Sequence, residues 1–419
     1  MSVLSDSIYV AASQAIKIIT ALAVIKIITV YTGVNGLGYT GNYFGMISIA
    51  TSAAGGGVLI ATAAYISKYT EDKLRRDIFL FNSLTFVTFF GILCVIIINI
   101  FSKEISSYVF SNNDREPYIR LYSLIFLLYG YVNIYFGFLN GCKNTKEYFE
   151  VVLVSSLIST MVFFILTKAY GIDGVILGLL ISLLITFLLS ISKFHKKIKS
   201  IKLYLNGHKK EDWFVLFKYS VMLLSSVLAF PLVEMYIRNE ITTQAGLTAA
   251  GQWQAILRLS SAYLVMISVI LSFLMIPRLT ISKNNKSLIR VLLIGFGVVF
   301  FIISTAYYLI NNFWSIVISI ALSSDFLFLK DLFSNQMISD LLRTFGWVIG
   351  FILIAKSYTI LYVIFEIVQA GVFMYIFNIY FSPADPLNST IGAYFISNSI
   401  YLLVCFIFLL SYLFVKRRS

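Results

Sequence analysis

Runs of about twenty apolar residues, separated by short polar breaks, recur from one end of this 419-residue chain to the other. A helix needs about 20 such residues to cross the hydrocarbon of a bilayer, and its backbone amides must all be paired within the segment. The pattern predicts an all-α polytopic membrane protein. A transmembrane β-barrel is excluded, because barrel strands are short and alternate polar with apolar. Charged residues make up only 12% of the chain and its mean hydropathy is +0.89. Soluble domains carry about 25% charge, so an ordinary soluble enzyme and a disordered chain are both excluded.

The breaks predict twelve transmembrane helices, over 8–31, 41–66, 78–101, 119–141, 149–168, 173–193, 213–237, 248–276, 289–311, 332–354, 357–381 and 390–415. The run 313–322 is too short to span and reads as an interfacial or re-entrant piece. The longest polar break, 194–212 (FHKKIKSIKLYLNGHKKED), is strongly basic and divides the helices into two sets of six. Two pseudo-symmetric six-helix bundles are therefore expected, 1–193 and 213–419, joined by that linker.

Lys and Arg set the orientation. The even-numbered loops and the C-terminus hold 21 of them, and the odd-numbered loops hold 5: Lys103, Arg115, Lys168, Arg238 and Lys330. By the positive-inside rule the even loops, the linker and both termini are expected in the cytoplasm. A miscounted helix would invert every later loop and erase the asymmetry. The net charge of +13 is then charge facing anionic lipid, and no nucleic-acid partner is expected. MSVLSDS lacks a basic n-region, and Lys17 and Lys26 interrupt the first apolar run, so no cleavable signal peptide is expected.

Catalytic and metal motifs are missing from this pattern. Cys94, Cys142 and Cys405 show no paired spacing, and His195 and His208 share one basic loop. The GLG at 36–38 follows no strand, and no P-loop exists. The chain reads as a non-enzyme without cofactor or metal.

The informative residues are polar ones inside apolar runs. An ionised side chain at mid-bilayer costs at least about 2.5–3.5 kcal/mol, so it faces a partner or a wet cavity. Arg120 and Lys218 lie near helix ends and can snorkel. Lys17, Lys26, Arg258, Arg343, Asp340 and Glu366 lie deeper, while Glu234 is near an outer end. At about 100° per residue, Gln14 and Lys17 share a face, as do Gln254, Arg258 and Ser261, with Trp253 beside them. Gln336, Asp340, Arg343 and Trp347 form another stripe, and Tyr362, Glu366 and Gln369 a third. Two readings stand for each group. Asp340–Arg343 is a structural ion pair or part of a transport site; Arg258 pairs across helices or meets substrate; Glu366 pairs with Lys356 or a neighbour, or couples an ion. Lys26 sits half a turn from Lys17 and either snorkels or faces the cavity. The triplet Gly55, Gly56, Gly57 is a hinge or a close-packing contact. Taken alone, the buried bases suit an anionic substrate.

At this level the chain resembles Wzx-type flippases of the multidrug/oligosaccharidyl-lipid/polysaccharide exporter superfamily, in particular the O-antigen and enterobacterial common-antigen translocases. The segments that carry the resemblance are AASQAIKIITALAVIKIITVYTGVNGLGYTGNY (11–43), AAGGGVLIATAAYISKY (53–69), FLNGCKNT (138–145), GQWQAILRLSSAYL (251–264) and LFSNQMISDLLRTFGWVIGFILIAKSYTILYVIFEIVQ (332–369). Their order and spacing span the chain. The resemblance matches Lys17 and Lys26 to basic positions of the first helix and Trp253–Gln254 to a Trp-Gln pair. It also matches Asp340 with Arg343 to an acid-x-x-base pattern, and Glu366 with Gln369 to Glu-x-x-Gln. Ser261 departs from it, standing where some relatives carry an acid.

What the resemblance implies is a bacterial inner-membrane flippase that works by alternating access. It would carry undecaprenyl-pyrophosphate-linked O-antigen repeat units to the periplasmic leaflet through a cationic central cavity. Lys17, Lys26, Arg258, Arg343, Gln14, Trp253 and Gln254 would line that cavity, with Asp340 or Glu366 coupling an ion. Membrane lipids, an O-antigen polymerase and a chain-length regulator would be the partners. Flippases for common antigen, capsule or lipid II, and an ion-coupled multidrug exporter, are the alternatives.

Overall fold

A computed structural model of the protein describes residues 3–69, 71–198, 209–282, 284–356 and 358–418. Much of the linker, with Lys199, Lys202 and His208, lies outside them. Twelve α-helices follow one another, and no strand occurs among the described residues: α1 (Val3–Ala53), α2 (Gly56–Lys68), α3 (Lys73–Ile100), α4 (Ser102–Phe110), α5 (Glu116–Gly141), α6 (Thr145–Ile198), α7 (Lys210–Ala245), α8 (Leu247–Ile281), α9 (Asn285–Ala321), α10 (Lys330–Ala355), α11 (Thr359–Tyr380) and α12 (Pro386–Arg418). The chain is an all-α polytopic membrane protein. Nine helical stretches among the described residues are long and apolar enough to cross a membrane. Two of them, Ile8–Lys68 and Thr145–His195, each hold a pair of the expected spans.

Those pairs are joined without a polar loop. Gly33 (φ 67°, ψ −167°) and Gly171 (φ 56°, ψ −126°) each break the helical path within a single residue. A residue with a Cβ adopts such angles at a cost, which is why glycine stands at both. The run 313–322 continues α9 beyond a break at Phe313 and is tied down by Trp314, whose Nε1 donates to the Leu327 carbonyl at 2.6 Å.

The chain divides into two compact units. The first comprises Met1–Thr32 and Asn42–Pro231. Its core joins α2, α3, α5 and α6 through Phe79, Ile134, Tyr135 and Leu139, and takes in Leu216 from α7. Arg75 of α3 grips Asp212 of α7 with both terminal guanidinium nitrogens, and Asn82 Nδ2 donates to Asp212 Oδ2 at 2.8 Å. These bonds hold the start of α7 on the first unit. The division by contacts therefore falls at Pro231, inside α7, whereas the loop pattern places it at the linker.

Gly33–Gly41 and Leu232–Ser419 form the second unit. Here α10 packs against α8, α9 and α12, and α11 packs against α12. The face that α10 turns inward is apolar above and below, with Met337, Val348, Ile349 and Ile352 fully buried, but polar at Gln336 and Asp340.

Candidate functional site

The polar stripe of α10 becomes a bonded cluster in the second unit. Asp340 has no exposed surface. The Tyr394 hydroxyl, from α12, donates to Asp340 Oδ1 at 2.9 Å and accepts from Arg343 at 3.0 Å. Tyr263 of α8 donates to the other carboxylate oxygen. The expected Asp340–Arg343 relation thus runs through a tyrosine from a third helix. Arg343 also lies over the Trp347 ring, 5.2 Å from its centre. A carboxylate taken out of water is expensive unless its oxygens are satisfied; here two phenols satisfy them and Arg343 supplies a nearby counter-charge.

Arg258 is half-buried on α8. Its counter-charge comes from α7, where Glu234 is within electrostatic reach of Arg238, Arg258 and Arg343. Gln254, expected on the Arg258 face, is 1% exposed and accepts from Arg238 at 2.5 Å. Trp253 is fully buried beside it. Glu366 is half-buried, bonded to Tyr362 and within reach of Arg343. Lys356, weighed as its partner, instead donates to the Thr280 and Ser282 carbonyls, each at 3.2 Å. Gln369 donates to Asn398 of α12 at 3.1 Å in a buried amide contact.

Glu234 and Arg238 do not stand out in the sequence. The apolar window ends at 237, so Arg238 counts as a loop base and Glu234 as an end residue. In the structure α7 runs on to Ala245, and Arg238 is 2% exposed. The available signal was their i, i+4 spacing, which puts acid and base on one helix face. Tyr263 and Tyr394 gave no such signal, because tyrosines are common throughout the chain.

With Glu234, Asp340 and Glu366 against Arg238, Arg258 and Arg343, the cluster is balanced in formal charge. Two further bases within apolar runs, Lys17 and Lys26, lie in the first unit. Lys17 is exposed; its Nζ donates to the Tyr148 hydroxyl at 2.8 Å, a neutral partner. Gln14 and Lys26 are half-buried on the same helix.

The glycine triplet resolves into three environments. Gly55 lies at a break between α1 and α2, at φ 138°. Gly56 opens α2. Gly57 lies inside α2 against α7, where a Cβ would come within 2.4 Å of Ser220 Cα. The break fits a hinge and the contact fits packing, at neighbouring residues. No group of His, Cys, Asp and Glu suited to a metal occurs among the described residues.

Comparison with known proteins shows that this fold is similar to those of solved membrane transporters. The fold matches an inward-facing multidrug resistance MATE family transporter of the MOP superfamily, with a TM-score of 0.79 at 17% identity over 97% of this chain and 96% of that one. It also matches an outward-facing structure from that family (TM-score 0.69, 16% identity, 97% and 96% covered). A MOP superfamily transporter from Pyrococcus furiosus, described as having a binding pocket of reversed polarity, matches with a TM-score of 0.66 at 16% identity over 97% and 96%. In sequence, the chain is 25% identical to the Lipid III flippases of Escherichia coli K12 and Shigella flexneri, over 98% of its own length and 99% of theirs. No family model matches the chain.

Proposed function

We propose that this protein flips a lipid-linked glycan across the membrane, and that its cargo is an O-antigen repeat unit on undecaprenyl pyrophosphate. The whole-length likeness to proteins named as Lipid III flippases supports the reaction class. The observation in the structure that supports it best is the set of cationic side chains held within apolar helices: Lys17 on α1, Arg258 on α8 and Arg343 on α10. The diphosphate is the part of such a substrate that cannot enter hydrocarbon unaided, and fixed guanidinium and ammonium groups replace its water. Arg258 and Arg343 would bind oxygens of the headgroup, while Lys17 and Lys26 supply the positive excess. Gln14, Gln254 and Trp253 would position these groups. A potential negative inside favours outward movement of an anion by about 2.3 kcal/mol per charge per 100 mV. Asp340 or Glu366 would take up a coupling ion on the return step, and the Gly55–Gly57 segment would bend as the protein alternates.

On this reading the protein is in a bacterial inner membrane with both termini in the cytoplasm, and it hands its product to a polymerase with a chain-length regulator. The deciding experiment deletes the gene and asks which surface polysaccharide is lost. Loss of O-antigen, restored by the wild-type chain, is expected. Loss of another lipid-linked glycan keeps the reaction and changes the cargo; unchanged surface glycans with altered drug tolerance would make the protein a drug exporter.

A further inference from the structure

The first unit contains a cavity that the headgroup residues do not touch. It encloses about 140 Å³. Phe86 and Cys94 of α3, Phe126 of α5 and the Ala54–Gly55 break form its walls, and Phe217 and Val221 of α7 flank it. Those two side chains are 49% and 48% exposed, and the Phe217 ring lies 6.2 Å from that of Phe90. They mark the mouth.

Two features restrict the occupant. Among the described lining residues Ser220 brings the one hydroxyl, and a buried water needs two to four polar partners. On α3 the lining residues Phe90, Gly91 and Cys94 are interspersed with exposed Phe89, Ile92, Leu93 and Ile96, and the Phe89 ring lies 5.2 Å from that of Phe90; such a surface on a membrane-spanning helix meets lipid chains. The cavity therefore opens to hydrocarbon. Its size is that of an apolar cavity of about 150 Å³, which stays dry and accepts one benzene, six carbons in a compact shape. An isoprene unit has five carbons, one of them a methyl branch, so it is compact in the same way. A straight acyl chain spreads that volume along a rod.

The geometry points to a docking site for one isoprene unit of a polyprenyl lipid tail, between α3 and α7 beside the Gly55 break. This inference rests on the flippase reading, which supplies the polyprenyl chain. No water is expelled when a tail enters from lipid, so the contact is dispersion and shape fit: the seated unit fills a space that would otherwise leave its walls without contacts. It assigns the tail a place on the first unit, and the seated unit would press on the wall formed by the broken helix.

The test uses the full-length chain in nanodiscs of phosphatidylethanolamine and phosphatidylglycerol containing undecaprenyl phosphate as the probe. Benzoylphenylalanine is placed at position 217, or at position 96 as a lipid-facing control, and adducts are identified by mass spectrometry after irradiation. The isoprenoid-to-phospholipid adduct ratio should be about tenfold higher at 217 than at 96, a preference of about 1.4 kcal/mol. Val221→Trp, which plugs the mouth, should bring the two ratios together. Equal ratios in the unplugged protein, or phospholipid adducts alone at 217, overturn the proposal; this comparison stands even if the plugged variant fails to fold. The readout involves no transport. A high ratio at 217 in a protein whose deletion leaves surface glycans intact would remove the cargo reading and keep the site. Lost O-antigen with equal ratios would do the reverse.

Discussion

Tyr394 donates its hydroxyl to Asp340 at 2.9 Å while accepting from Arg343 at 3.0 Å, so an acid and a base three residues apart on α10 are linked through α12. Tyr394→Phe removes both bonds and leaves Tyr263 on the carboxylate. Hydrogen bonds to charged groups contribute about 1.5–3 kcal/mol. The variant should lose stability in that range, read as a lowered Tm in detergent. A Tm equal to wild type would mean that the cluster is wetted and its bonds are replaced by water.

Arg258 separates charge from shape in the proposed site. Arg258→Ala should abolish O-antigen display while the protein level on immunoblots is unchanged. Arg258→Lys should retain part of the display if charge is what the headgroup reads, and none if the planar fork is needed. Full display in Arg258→Ala would leave this residue a structural partner of Glu234.

The Arg75–Asp212 pair joins α3 to α7 with Asp212 1% exposed and Arg75 16% exposed. Removing one member of such a buried pair leaves a charge without its partner, at a cost of about 3–5 kcal/mol. Arg75→Ala should therefore destabilise more than the Arg75→Ala/Asp212→Asn double variant, in which the stranded charge is gone. Equal unfolding temperatures for single and double variants would contradict that accounting.

Gly55, Gly56 and Gly57 should respond differently to alanine. Gly55→Ala must place a Cβ at φ 138°, a strain of about 1–3 kcal/mol. Gly57→Ala drives a Cβ to within 2.4 Å of Ser220 Cα, so two helices must part. Gly56→Ala sits at the start of a helix, where alanine is favoured over glycine by up to about 1 kcal/mol. Thermal unfolding should rank Gly56→Ala as the most stable of the three. Uniform effects would mean that the triplet acts only as a flexible stretch.

The positive-inside reading is tested at the linker. Alkaline phosphatase fused after Asn206 should be inactive, and green fluorescent protein fused there should fluoresce. The opposite pair of results would invert the topology and every assignment of inner and outer ends.

The all-helical character of the chain and eleven of the twelve expected spans, all but 213–237, were present in the sequence, as were the charges Lys17, Arg258, Asp340, Arg343 and Glu366 inside them. They depend on residue type over windows of about twenty, and the bilayer imposes helix on any such window because it offers the backbone no other partner. Pairing was decided only in three dimensions. Arg258 has no acid on its own helix, and its counter-charge comes from Glu234 on α7; Asp340 is satisfied by tyrosines from α8 and α12; Lys356 turned from Glu366 to backbone carbonyls. Helical periodicity shows which residues share a face of one helix, but it carries no information about which face of another helix comes opposite. The end of α7 was hidden for a related reason. An apolar window that closes at Arg238 cannot show that this arginine finds Gln254 inside the unit and lets the helix continue to Ala245.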